Sequence, residues 1–386
     1  MTLAVTSAVN PTLPRYGLML GNFATGLCIL APAGMLAVLA DGLDTGIRET
    51  GLLVTFGAVI LCFGSPIVAW LTTRIDRRTL LAGSLAFMVI GQAASALAPN
   101  YATVLALRLA MVAGAAVFTP QAASTIALLV PEKDRSGSIA FVFLGWSLAV
   151  AGGLPLITFV SGYVGWRGAF AAASLTALIP FVLLLFVLPR GLYGPPLSLA
   201  SFGRLAGNRK IVLLLLITVL SISGQLIVFI YLAPLLQRLA GASHETTGAM
   251  FALFGVVAFA GNVAATKIVG RLGGWITAGI AMTFTLTGLL LWSIGAGALP
   301  VMGAGVAIIG LGFAASNSMS QARLVQAAPD LSSASVALNT SGVYVGQAIG
   351  SGVGGVMFGL GWLNGIGFVG VAFVAAAIAA WSFTRD

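Results

Sequence analysis

Arg108 is the single ionisable side chain set deep within an apolar run of this sequence. It stands seven residues past Tyr101, roughly 10 Å along a helix that rises ~1.5 Å per residue. Placing a cation in hydrocarbon costs at least about 2.5–3.5 kcal/mol. Two readings follow. Arg108 is a cavity-facing cation that holds an anionic or carbonyl group or influences proton movement, or it is a structural arginine bonded to backbone carbonyls. Embedded charge is functional by default, which favours the first. Neutral amides recur in other apolar runs: Asn22, Gln121, Gln225, Asn317, Gln321, Asn339 and Gln347. An unpaired amide is costly in lipid, so each must face protein or water. Asn22, Arg108, Gln121, Gln225, Asn317 and Gln321 are therefore the candidate substrate-binding residues.

Other chemistry is sparse. No carboxylate lies deep in any run; Asp41, Asp44 and Glu49 gather near the end of the first one. They read as a solvated loop, with proton exchange between Asp41 and a cavity as the alternative. The lone His244 falls in an expected loop, and Cys28 and Cys62 sit inside apolar runs without disulfide or metal-ligand spacing. There is no phosphate-binding loop and no nucleophile–base pair. The expectation is a non-enzyme without cofactor or metal, whose energy, if it pumps, comes from an ion or solute gradient.

The elements that must position these residues follow from composition. Of 386 residues, 59% are hydrophobic and 7% charged, and the mean hydropathy is +1.08. Soluble domains carry about 25% charged residues. So few charges cannot cover a water-facing surface, which excludes a soluble enzyme, a nucleic-acid-binding domain and a disordered chain. The net charge of +9 therefore marks loops at a membrane, not a nucleic-acid partner. Fifty glycines suit helices that pack in lipid through small residues.

Breaks at Gly, Pro and charged clusters define twelve apolar runs. They lie near 17–40, 50–71, 79–98, 101–128, 136–160 and 167–188, then 211–236, 246–267, 275–294, 299–325, 334–358 and 363–383. The fold class expected is an all-α membrane protein with twelve transmembrane helices. Residues 1–189 form one six-helix half, 190–210 a linker and 211–386 the second half. With the N-terminus inside, fourteen of the 18 Lys and Arg residues fall in inner segments, three in outer ones, and Arg108 within a span. That bias makes both termini cytoplasmic. Residues 1–14 lack a basic residue, so no cleavable signal is expected.

The halves repeat at an offset of 196 to 197. Gly51, Gly64 and Arg74 recur as Gly248, Gly261 and Arg271. Gly114, Ser124, Leu128, Asp134 and Ser136 recur as Gly310, Ser320, Leu324, Asp330 and Ser332. Such repeats belong to transporters whose site lies between the halves. Two expectations follow from the offset: Gln121 and Asn317 line the cavity as equivalents, and Arg74–Asp134 and Arg271–Asp330 act as twin gating pairs. Gly342, Gly346, Gly350 and Gly354 share one helical face and suit close helix packing. Gly152, Gly153 and Pro155 bend or loosen the fifth span.

Val130 to Phe170, reading VPEKDRSGSIAFVFLGWSLAVAGGLPLITFVSGYVGWRGAF, resembles the loop after helix 4, the Gly/Pro-bearing helix 5 and the start of helix 6 of antiporters in the major facilitator superfamily. The stretch GSPIVAWLTTRIDRRTLL resembles the superfamily's helix 2–3 loop, with Thr73 where an aspartate is usual and Asp76 where a glycine is usual. Arg108, Gly114 and Pro120 resemble its embedded-arginine motif, from which Met111 and Val112 depart. The resemblance spans essentially the whole chain and points to the drug and sugar efflux branch. Gly26 and Gly34 match that branch's helix 1 spacing, but Ile29 replaces its acid. What the resemblance implies is proton-coupled export of a small amphipathic or neutral compound from the bacterial cytoplasmic membrane, by a monomer whose partners are substrate, proton and lipid bilayer. The alternatives are a carrier for a small anionic or polar metabolite with Arg108 as counter-charge, and a non-transporting receptor or assembly factor.

Overall fold

The computed structural model describes residues 12–72, 74–131, 134–193, 199–328 and 331–385. Thr73 and Asp330 fall outside them. Among the described residues every regular element is a helix, and nine helical stretches are long and apolar enough to cross a membrane.

Several apolar runs fold as broken helices, a point that hydropathy alone does not register. The first run becomes α1 (Thr12–Gly34) and α2 (Leu36–Gly42), parted at Met35. Pro32 supplies the cause, because it has no N–H to give to the preceding turn. Then come α3 (Ile47–Leu71), α4 (Arg77–Ala96), and the fourth run as α5 (Tyr101–Ala115) and α6 (Phe118–Leu129). α7 (Arg135–Leu148) leads through one π-turn, Ala149–Gly153, into α8 (Leu154–Val187). The wide turn sits just ahead of Pro155, which cannot donate to it. The region expected as a plain linker contains α9 (Leu199–Ala206).

The seventh run is split like the first, into α10 (Arg209–Phe229) and α11 (Leu232–Ala240). The break falls at Ile230 and Tyr231, and Tyr231 is 196 positions after Met35. Both breaks thus obey the repeat offset. α12 (His244–Ile294), α13 (Leu299–Ala327), α14 (Ser332–Gly359) and α15 (Gly365–Ser382) complete the chain. α8 and α12 are each interrupted by a kink at one glycine, Gly165 (φ 80°, ψ 175°) and Gly273 (φ 77°, ψ 163°).

Small residues bring the helices close. A Cβ at Gly346 would lie 2.7 Å from the Val219 carbonyl oxygen, and one at Gly350 would lie 2.6 Å from that of Ser223. The glycine series of α14 therefore rests directly on the α10 backbone. Two seams join α1–α8 to α10–α15. At the first, α3 meets α14: the Thr55 and Ser351 hydroxyls are 2.8 Å apart, and Ser341 Oγ donates to the Cys62 carbonyl at 2.9 Å. At the second, Tyr163 of α8 donates to the Glu245 carboxylate at the start of α12. One hydrophobic core runs across both seams, from Leu36, Val54 and Leu154 to Tyr231, Phe251 and Trp292.

Gly165 and Gly273 occupy backbone space that is essentially reserved for glycine, yet a Cβ there meets nothing within 4 Å. Gly165→Ala or Gly273→Ala should each cost about 1–3 kcal/mol through the backbone alone, read as a lowered thermal midpoint of the purified protein. Gly83→Ala, in open space within α4, should instead be neutral or stabilise by about 0.5–1 kcal/mol.

Candidate functional site

The site begins with the break in α1. Without a donor at Pro32, the Cys28 carbonyl has no partner four residues on. Two side chains fill it: Arg108 Nη1 donates at 3.1 Å and Gln92 Nε2 at 3.3 Å. Arg108 also donates through Nη2 to the Ile29 carbonyl and through Nε to the Leu53 carbonyl at 2.9 Å. The residue is 2% exposed. Of the two readings open for Arg108 in the sequence, these are the bonds of the structural one. The guanidinium ties α5 to α1 and α3, and the burial of its charge is offset by carbonyl dipoles.

A second polar group lies where α1, α6 and α7 converge. Trp146 Nε1 donates to Thr119 Oγ1 at 3.2 Å, Thr119 donates to Asn22 Oδ1 at 2.9 Å, and Asn22 Nδ2 donates to the Val142 carbonyl at 3.0 Å. The approach depends on Gly145, whose Cβ would lie 2.7 Å from the Phe23 backbone nitrogen. Asn22 is buried, while Thr119 and Trp146 keep part of their surface open. Neither of those two stood out in the sequence, since one hydroxyl and one indole in an apolar run carry no signature.

The expected equivalence of Gln121 and Asn317 is not kept at the level of contacts. Gln121 is buried and its Oε1 accepts from Arg77 Nη1. Asn317 and Gln321 on α13 are half-buried. Arg77 opens α4 beside Asp76, which accepts from the backbone N–H groups of Gly191 at 2.6 Å and Leu192 at 3.0 Å and caps α4 through Thr79 N–H at 3.2 Å. The unusual aspartate thus pins the α3–α4 loop to the chain leaving α8, which a glycine could not do.

On the other side of the molecule, Gln225 of α10 donates to Ser221 Oγ at 2.9 Å and Ser316 Oγ at 3.1 Å. Ser316 spends its own hydrogen on the Phe313 carbonyl, so it accepts from the amide and fixes its orientation. Gln225 Oε1 is left buried with no partner. One turn on, Phe229 stacks with Phe313 and leans on Phe254. Gln347 and Asn339 are buried in α14, and Thr218 donates to Asn339 at 3.0 Å, which joins α10 to α14.

Of the gating candidates, Arg74, Asp134 and Arg271 are at the surface, and Asp330 lies outside the described residues. Arg74 and Asp134 are exposed and form no direct ion pair. Arg271 and Lys267 line an open cavity of about 530 Å³. Among the described residues no three His, Cys, Asp or Glu side chains gather as a metal site. What the polar interior offers is hydrogen bonding from amides, hydroxyls and an indole, beside aromatic rings.

Removing the guanidinium leaves a gap between α1, α3 and α5, and the Cys28 carbonyl keeps only the longer bond from Gln92. Arg108→Ala is expected to cost about 3–5 kcal/mol. Arg108→Lys should recover only part, since an ammonium cannot span three carbonyls as a planar fork does. Thermal unfolding of both variants in detergent checks this.

The geometry agrees with what comparison with known proteins finds. The inner membrane transport protein YdhP of Escherichia coli (strain K12) is 28% identical over 374 residues, covering 95% of this chain and 93% of that one. A probable sugar efflux transporter of Mannheimia succiniciproducens is 26% identical over 353 residues, covering 91% and 87%. In fold, the chain is similar to the crystal structure of a D-xylose-proton symporter, with a TM-score of 0.75 at 16% identity, covering 97% of this chain and 96% of that one. The protein is a multi-pass transporter of the cell membrane and not an enzyme. The family model described as Major Facilitator Superfamily matches residues 18–338, and the chain belongs to that family.

Proposed function

We propose that this transporter exports a small amphipathic or neutral compound, drug-like or sugar-like, by alternating access coupled to proton entry. The observation that carries the substrate class is the bonding of Arg108. Each of its three nitrogens donates to a backbone carbonyl and the residue is buried, so its charge is met by the protein and not presented to an anion. The polar groups left to meet a substrate are neutral: Asn22 with Thr119 and Trp146, Gln121, Gln225, and the half-buried Asn317 and Gln321. Beside them lie the rings of Phe229 and Phe313. Neutral donors and acceptors next to aromatic faces suit a ligand with both polar and apolar surface. The similarity to a probable sugar efflux transporter supports both the direction and the class.

The topology belongs to the same reading. Gly165 and Gly273 divide α8 and α12, and the broken pairs α1–α2, α5–α6 and α10–α11 each serve as one span. With α7 leading into α8, that makes twelve crossings, six within 1–189 and six within 211–386, joined by a cytoplasmic linker at 190–210. The Lys and Arg bias sets both termini in the cytoplasm. Thr55–Ser351 and Tyr163–Glu245 then lie toward the outer face, Ser341–Cys62 deeper within the spans, and Arg74, Asp134 and Arg271 at the inner face. Arg74 and Asp134 standing apart fits a molecule closed outside, and the twin pairs Arg74–Asp134 and Arg271–Asp330 are assigned to inner closure. Each exposed pair contributes about 0–1 kcal/mol, enough to bias a near-balanced equilibrium.

Coupling to protons rests on the resemblance to antiporters and on the fold shared with a proton symporter. The carrier for an anionic metabolite would require Arg108 to expose its buried charge. A screen of purified protein by thermal shift separates the readings: sugars and neutral amphipathic drugs should raise the midpoint, whereas organic anions should not. Stabilisation by anions alone, lost in Arg108→Gln, would replace the proposal with the anion carrier. With a hit in hand, flux into proteoliposomes should fall when an ionophore collapses an imposed pH gradient. Flux that persists at a clamped membrane potential rules out proton coupling. Absence of counterflow for every stabilising compound would favour a receptor.

A further inference from the structure

Tyr231 lies at the break between α10 and α11, where the chain is free of helical geometry (φ −97°, ψ 12°). Its side chain is 0% exposed. The hydroxyl donates to the Ser351 carbonyl at 2.9 Å. The ring lies on α14 at two glycines: a Cβ at Gly354 would stand 2.9 Å from ring carbons, and one at Gly355 would stand 2.6 Å from the hydroxyl. Residues 231, 351, 354 and 355 all follow the linker. The far side of the ring meets the other half of the chain, at Gly51 in the first turns of α3. A Cβ at Gly51 would overlap the tyrosine hydroxyl and stand 2.8 Å from Cζ. Ser351, which takes the hydroxyl, also meets Thr55 of α3, one turn beyond Gly51, at 2.8 Å.

We infer that Tyr231 and Gly51 are positioning residues of the transport cycle: the tyrosine is held rigidly on its own half and seats against the bare backbone of Gly51, and this fit sets how stable the outwardly sealed conformation is. The physical ground is the asymmetry of the contact. The bond from Tyr231 to Ser351 and the packing on Gly354 and Gly355 lie within one half, and a rigid-body movement of the halves keeps them. The Gly51 contact crosses the seam, and separation of the outer ends removes it. The repeat equivalent of Gly51 is Gly248, where a Cβ would meet Pro155 at an ordinary 3.7–3.9 Å. Tight glycine fits occur at both seams, since a Cβ at Gly255 of α12 would overlap the Ala151 Cα, but the repeat position of Gly51 does not carry one. Any side chain at residue 51 overfills the sealed state and leaves the opened one untouched.

The inference rests on the proposed reading that these ends face outward and part during transport. The test needs no substrate, so it does not depend on identifying one. In a Cys28→Ser/Cys62→Ser background, Asp41→Cys and Asn364→Cys place spin labels on exposed outer positions of the two halves. Their distance is measured by double electron–electron resonance in proteoliposomes. Gly51→Ala should lower the ratio of short to long distances at least about tenfold, while Tyr231→Leu lowers it on its own. In the Gly51→Ala/Tyr231→Leu protein, alanine should add less than about a twofold further change, because the overlapping hydroxyl is gone. Unchanged distances in Gly51→Ala overturn the inference, as does an alanine effect of equal size with and without Tyr231. If Gly51→Ala does not insert, Tyr231→Leu alone decides: opening supports the inference and wild-type distances overturn it. Labelling of Asp41→Cys in intact cells by a membrane-impermeant maleimide reads the orientation separately, so an inverted topology is told apart from a failed fit.

Discussion

A guanidinium buried among apolar helices needs partners, and no buried carboxylate among the described spans provides one. The first half of this protein is organised around meeting that need. Pro32 denies the Cys28 carbonyl its helical donor, and α1 then breaks at Met35. The exposed carbonyl edge faces α5 and α3, where Arg108 reaches three oxygens and Gln92 a share of one. A proline defect in one helix and a charge in another each cost several kcal/mol in isolation. Together they satisfy one another and fix the mutual positions of α1, α3 and α5.

Close approach by glycine is the second constraint. In lipid, helices gain little from burying apolar surface against each other, so backbone proximity and buried hydrogen bonds must carry association. Gly145 brings α7 onto α1 beside Asn22, Gly346 and Gly350 bring α14 onto α10, and Gly51 receives Tyr231. The first two contacts lie within one half and suit a rigid body. The last lies across a seam, where the same lack of a side chain makes the contact dependent on conformation.

The repeat is preserved in geometry more faithfully than in chemistry. Met35 and Tyr231 break their helices at equivalent positions. Met35 packs into an apolar cluster of the first half, whereas Tyr231 carries a hydroxyl to the opposite seam. Gln121 is bonded by Arg77 while its equivalent Asn317 keeps part of its surface open. The polar interiors of the two halves therefore differ in chemistry although their frames correspond.

Composition and periodicity by themselves determined the class: with 7% charged residues the chain has no choice but lipid, and spacing of Gly, Pro and charge marks where helices begin and end. The repeat offset and the superfamily motifs were equally legible, because they are properties of residue order. The partners of polar side chains were not. An apolar run reads the same whether its helix is whole or broken, and the carbonyl freed at Pro32 becomes a ligand only where a distant residue reaches it. Arg108 could be picked out as exceptional from the sequence, but only its distance to Cys28, Ile29 and Leu53 in space decides what offsets its charge. Tyr231 and Gly51 are 180 residues apart in an ordinary apolar context, and their meeting is set by how the two halves pack, which no local pattern encodes.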